Sequence, residues 1–514
     1  MRPEIWAGLL IAAPALAEPN FIDRAADLGV DHVYDGGWEH FVGGGVASFD
    51  CDGDLRPELF LAGGVNPATF LRNTSGDYVS FLADPDAIPD LTGVVGAYPL
   101  DIDSDGLLDL FVLRVGPNSV LRGLGDCRFA DVTGKLGLDG GDRWSTAFTA
   151  TWEQGRTWPT LAVGNYVDRT DPDGPFEACD VNLLYRPEGD AYPVQQGLTP
   201  GFCPLSALFS DWGRNGRADL RLSNDRHYYV RGGQEQMWAM EESPRLYGQA
   251  DGWQDHQLWG MGIASRDLTG DGRPEVFLSS MGDQRLQGLG DGVGPHFKDV
   301  PFAMGATAHR PFIGDDGRPS TGWHIAFGDV QNDGRDDVFI AKGNVDQMPG
   351  NAMEDPNNLL MQADDGSFAE AAVEAGLADT ARSRGAVLTD LNLDGRLDLV
   401  VVNRRAPVRI YENRTSATGH WLMASVTQAG PNSQAVGAWI ELEADGRVMT
   451  REITVGGGHA SGQAGLQHFG LGTVQEGKLR VIWPDGQVGQ WWPVAVDRIV
   501  TLHRKDGREA LSTR

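Results

Sequence analysis

The sequence predicts an all-β protein: a seven-bladed β-propeller closed by an N-terminal strand, with a second, small C-terminal β-sandwich-like domain. Three observations carry the prediction. An acidic loop of the form DxDxDGxxD, or a close variant, recurs five times, each time with an apolar strand behind it. Its copies are regularly spaced. The 514 residues include 69 glycines, many in Asn/Asp/Gly turns between short β-branched or aromatic runs.

The loops are Asp50, Asp52, Asp54, Glu58; Asp101, Asp103, Asp105, Asp109; Asp267, Thr269, Asp271, Glu275; Asp329, Gln331, Asp333, Asp337; and Asp390, Asn392, Asp394, Asp398. Oxygens at every second position repel one another unless a hard dication lies among them, and glycine at the sixth position lets the backbone turn around it. The pattern points to Ca2+ held in up to five structural sites. A catalytic ion would need an open coordination position and a placed acid or base, and these loops offer neither. In the first loop Leu55 takes the usual glycine position and Gly53 has moved forward, so a distorted geometry is expected.

A decayed copy (Asp211, Asn215, Gly216, Asp219) fits between the second and third loops and is expected to hold its ion weakly or not at all. With it, the first aspartates stand 51, 110, 56, 62 and 61 residues apart. The long step spans two periods, and Ala147 to Gly164 has the pattern of a worn unit without the acids, which makes seven. Each unit runs from a small-residue strand (Gly45 to Phe49, Gly262 to Ser265, Gly385 to Thr389) through the loop to an apolar strand, an Asn-marked strand and a Phe-led strand. Four short strands make one blade.

The elements then follow in order. Residues 1–17 read as a secretory signal with an apolar stretch from Ile5 to Ala13, so the mature protein is expected to be secreted or periplasmic. The propeller is expected over 18–414. Phe21 to Val30 matches Phe129 to Leu138 in spacing but has no blade of its own, while the seventh unit lacks its last strand, so the N-terminal strand should complete it and remove two free edges. Cys179 and Cys203 flank an irregular insertion and are expected to be bridged. Cys51 and Cys127 are left to each other, a pairing that only their separation can decide. A linker over 415–419 would let the last domain move by itself. Alternating strands and two Asp-Gly turns place that domain at 420–505, with 506–514 as a tail.

Acids outnumber bases 72 to 42, a formal net charge of -30. Nucleic acid is excluded as a partner because clustered Lys/Arg are lacking, and apart from the N-terminal stretch no apolar run reaches the length of a bilayer span. Trp38, His40, His256, Trp323 and His324 form a candidate ligand cleft at one channel mouth. The competing reading, which we favour, packs each Trp between blades and pairs each His with a backbone carbonyl. His459 and His468 read as satisfied partners in a glycine-rich stretch, and Trp439, Trp483, Trp491 and Trp492 as core.

Gly456, Gly457, Gly458, His459, Ala460, Ser461, then His468 to Gly472, then Trp483, Pro484, Asp485, Gly486 resemble the ASPIC/UnbV domain. The repeats are similar to FG-GAP or VCBS units, with Phe327, Gly328, Asp329 nearest to the name. Together they resemble the cartilage acidic protein family over nearly the whole mature chain. The resemblance implies a seven-bladed propeller like the integrin α head, with calcium in the blade loops and a secreted protein. The expected function is a noncatalytic binding or adhesion scaffold for an extracellular protein or polysaccharide. The alternative is a carbohydrate-active enzyme, a lyase or hydrolase, with its site at the channel mouth.

Overall fold

The computed structural model describes residues 17–171, 178–225, 232–307, 309–315 and 317–514. The expected signal segment, save its last residue, lies outside them. Among the described residues the chain is all-β, with two α-helices of one turn each, Thr133–Leu136 and Ala372–Ala375. No helix among them is long and apolar enough to cross a membrane.

Among the described residues nine sheets form, and seven of them are built from residues 21–413, the first joined also by Gly462–Gln463. Each of these seven begins with a strand of small and apolar residues: Val46–Phe49, Val94–Leu100, Ser145–Thr151, Pro204–Ser210, Gly260–Arg266, Gly322–Gly328 and Arg382–Thr389. Three further antiparallel strands follow each in meander order, and in the last sheet the fourth strand is Phe21–Asp23. Each opening strand packs against the next, and Arg382–Thr389 returns to Val46–Phe49, so the sheets stand in a propeller-like circle. The worn unit at Ala147 to Gly164 takes its place there as Ser145–Thr151 paired with Thr160–Asn165.

The expected closing strand is present: Phe21–Asp23 pairs antiparallel with Arg409–Asn413, Phe21 opposite Asn413. Apolar side chains from neighbouring sheets form the core between them, as where Phe49, Phe70 and Phe129 meet edge to face or tilted. The expected disulfide Cys179–Cys203 forms, and the separation left open for Cys51 and Cys127 allows a bridge there too, each pair with Cα atoms 5.0 Å apart. The Cys51–Cys127 bridge joins the loop of the first sheet to the second sheet.

The two remaining sheets share one apolar core that includes Leu422, Ile440, Phe469, Leu479, Trp483 and Leu502. Two expectations need correction here. Residues 506–514 are no tail, because Arg508–Thr513 pairs along Arg498–Lys505. The stretch 415–419 is no free linker either: Thr415 is buried and accepts a hydrogen bond from the Asn20 amide, and the Gly419 amide donates to the Gln331 carbonyl at 3.1 Å.

Candidate metal loops and a filled channel

The acidic loops join the first and second strands of their sheets, and all six copies share one backbone shape. The fourth residue is left-handed in each (Gly53, Ser104, Arg214, Gly270, Asn332, Leu393), and so is the sixth (Leu55, Gly106, Gly216, Gly272, Gly334, Gly395). The first loop is therefore not distorted, contrary to expectation. Leu55 adopts φ 76° and donates its amide to Asp50 Oδ2 at 2.8 Å, as Gly106 does to Asp101 Oδ2 at 3.0 Å. A leucine in this conformation is strained, and the bonds that every loop makes hold it there.

The ninth-position carboxylate does more than the spacing suggests. Glu58, Asp109, Glu275, Asp337 and Asp398 each accept the amide of the loop's second residue. Four of them also accept an amide at the end of the third strand: Asn73, Gly123, Gln362 and Asn413. This buried acid ties the hairpin to its neighbour, a role readable only once the third strand is in register.

Ligand atoms of Asp50, Asp52 and Glu58, and of Asp101, Asp103 and Asp109, lie within 4.8 Å of one another. Burial raises Asp50, Asp101 and Asp103, and lifts Glu58 to about 8 and Asp109 to about 7, with neighbouring carboxylates adding to it. Asp337 and Asp398 are pushed well above the ordinary range by burial and then by Asp329 and Asp390. Left to themselves such groups would hold protons near neutral pH, and a dication restores the charged form. In the last loop the Asn392 amide Nδ2 is engaged while its buried Oδ1 has no partner, an acceptor that a cation would satisfy. These donor sets fit calcium.

Arginines that the sequence reading passed over brace the outer oxygens. Arg122 reaches Asp103 and Asp105, both at 2.7 Å, while Arg335 pairs with Asp333 and Arg396 with Asp394. In the decayed loop, protein donors take the ninth-position acid: Asp219 accepts Arg217 Nε at 3.0 Å, Tyr247 OH at 2.8 Å and Trp212 Nε1 at 3.1 Å.

The middle of the circle is filled by the chain itself. Residues 455–463, which leave the C-terminal sheets and return to them, pair with one opening strand after another: Val455 with Ala150, Gly456 with Leu208, Gly458 with Ile263, Ser461 with Ala97, and Gly462 with Ala47. The sixth opening strand meets the segment through its own His324, whose Nδ1 accepts the His459 amide at 3.0 Å. At the seventh, a Cβ on Gly385 would collide with Ser461 Oγ. The opening strands are small-residued for this reason: a Cβ at Gly45 or Gly96 would overlap the Ala460 carbonyl.

His459 is fully buried. Its Nε2 accepts the Gly43 amide at 3.2 Å, its Nδ1 faces the Met261 carbonyl at 3.3 Å, and its ring packs on Trp323 at 4.9 Å. Burial holds its pKa down to about 3 and that of His324 to about 4. Arg384 lies over Trp323, 4.0 Å from the ring centroid, and donates to the Phe41 carbonyl, and Arg404 donates to the Gly36 and His40 carbonyls. These arginines hold residues 36–41 against the other end of the channel.

Of the expected cleft residues, Trp323 and His324 come together at His459. Trp38 packs edge-on against Trp144 at 5.5 Å, His40 is buried beside Arg404, and His256 lies edge-on to Trp253 at 5.4 Å. A chamber of about 690 Å³ remains between the C-terminal sheets and the circle, lined among others by Trp439, Glu452, Gln463 and Ser265.

The ASPIC and UnbV family matches residues 428–509, and the FG-GAP-like repeat matches 50–112 and 329–401. The chain thus carries FG-GAP repeats followed by an ASPIC/UnbV domain. Its sequence is similar to cartilage acidic protein 1 of Mus musculus, 23% identical over 522 residues, covering 95% of this chain and 77% of that one. The same protein of Homo sapiens is 22% identical over 477 residues, covering 86% and 69%. The chain thus resembles the cartilage acidic proteins over most of its length. Among solved structures, that of BBS1N in complex with ARL6DN, soaked with mercury, is similar with a TM-score of 0.43 and 8% identity, covering 79% of this chain and 99% of that one.

Proposed function

We propose that the protein is an exported, calcium-stabilised, seven-bladed β-propeller with a β-sandwich-like C-terminal domain. It acts as a noncatalytic binding or adhesion scaffold for an extracellular protein or polysaccharide. The observation that carries this is the filled channel. A propeller enzyme works from an open mouth, where substrate meets convergent side chains. Here residues 455–463 occupy the channel from one side and residues 36–41 lie across the other. What remains for recognition is the outer surface of a rigid body and the chamber beneath the C-terminal sheets.

Rigidity is what the calcium would supply. Each ion lets three or four carboxylates coexist at a hairpin tip, in loops whose backbone already has the required turns. Two disulfides suit an oxidising compartment. Titration of chelator-stripped full-length protein with calcium chloride tests the first part and should show saturable uptake of several ions. Glycan and protein arrays probed with the calcium-loaded protein test the second. Cleavage of a polysaccharide, or absence of ion uptake, overturns the reading.

A further inference from the structure

The C-terminal domain does not dock at an arbitrary place on the circle. It touches the acidic loops. Ser433 Oγ donates to Asp101 Oδ2 at 2.6 Å, and Thr450 Oγ1 donates to Asp267 Oδ2 at 2.8 Å. In both loops that same oxygen also accepts the sixth-position glycine amide, at 3.0 Å. The two hydroxyls therefore reach equivalent atoms of two loops from one domain. The Gln434 side chain, in addition, accepts the Asp101 amide at 3.1 Å.

Other loops are engaged through their backbones. Arg447 Nη1 donates to the Gly334 carbonyl at 2.6 Å, the Gly472 amide to the Asn332 carbonyl at 2.8 Å, and His468 Nε2 lies 3.2 Å from the Gly395 carbonyl. In the decayed loop the domain supplies an acid of its own: Glu452 accepts Ser210 Oγ and the Asp211 amide, each at 2.6 Å.

We propose that Ser433 and Thr450 are outer-sphere positioning residues for the ions of the loops at Asp101 and Asp267, so that ion occupancy and docking of the C-terminal domain form one linked equilibrium. The proposal rests on the calcium reading above. An aspartate fixed by two donors on one oxygen presents the other in a set direction, and groups that orient ligands in this way commonly change metal affinity about 10- to 100-fold. Linkage is reciprocal: if the docked domain tightens ion binding, bound ions hold the domain down by the same factor.

The test uses the full chain. Wild-type protein is stripped, and calcium affinity is measured by competition with a chromophoric chelator. The variants are Thr450→Val, which keeps shape and loses the donor, Thr450→Ser, which restores it, and Ser433→Ala, with Ser512→Ala as a distant control. We expect about tenfold weaker binding for one class of sites in Thr450→Val and in Ser433→Ala, and wild-type affinity in Thr450→Ser and in the control. Limited proteolysis should then cut within residues 455–465 of the wild type only after chelation. Undiminished affinity in Thr450→Val and Ser433→Ala, with ions still bound, overturns the linkage and leaves the calcium reading intact. A wild-type chain that takes up no ion overturns both.

Discussion

The carbonyl oxygen of Ala460 fills the space that a Cβ at position 96 would need, and it does the same at position 45. Two opening strands thus accept the central segment only because they carry glycine there. Gly96→Ala should therefore displace the segment rather than be absorbed. Overpacking of a filled interior costs about 1–3 kcal/mol. Urea denaturation should show a loss of that size, together with new protease sites between residues 455 and 465. An unchanged midpoint would mean that the segment has slack to move.

Chelation should lower the melting temperature markedly. A site that binds only the folded chain adds about 2.7 kcal/mol when free calcium is about a hundred times Kd. Asp105→Ala and Asp394→Ala should each lose part of what chelation removes, and scanning calorimetry with and without EGTA measures both. A chain whose melting ignores the chelator would show that these carboxylates hold no ion.

Acid should loosen the centre of the circle. His459 and His324 are neutral when folded, with pKa values near 3 and 4, and return to about 6.5 when unfolded. Both values are depressed, so the unfolded chain binds more protons below pH 6.5. The stability is whole above that pH and drains away as pH falls toward 4. At pH 5 the His459 share of the loss is about 2 kcal/mol. His459→Asn removes this titration while leaving the carboxylates in place, so the stability gap between wild type and variant should narrow on going from pH 7 to pH 5. A gap of constant size would contradict the assignment.

The two disulfides should differ in worth. Cys51–Cys127 closes a loop over 76 residues and Cys179–Cys203 one over 24. Loop-closure entropy then gives about 4.5 and about 3.5 kcal/mol. Paired serine variants, compared by denaturant midpoint in saturating calcium, should rank in that order.

What the sequence makes legible is what repeats locally. The five acidic loops and the closing strand at Phe21 are patterns of spacing, and spacing survives without any knowledge of contacts. Leu55 misleads, because propensity speaks against a left-handed leucine while the hydrogen bond to Asp50 demands one. The central segment is hidden for another reason: its partners, from Ala47 to Gly385, lie scattered over more than 300 residues, and only assembly brings them together. Its trace was nonetheless present in the small opening strands, and in Gly456 to Ser461. The Arg508–Thr513 strand escaped because an exposed alternating stretch at a chain end reads like a tail.

The pairing of Phe21–Asp23 with Arg409–Asn413 also fixes a timetable. Arg24 and Glu412, joined by an ion pair there, are 388 residues apart in the chain. During synthesis at about 5–20 residues per second, the first strand must wait tens of seconds for its partner. The segment that fills the centre is made later still, so the centre cannot be complete before residues 455–463 exist. A product cut short before residue 409 would leave Phe21–Asp23 without its partner.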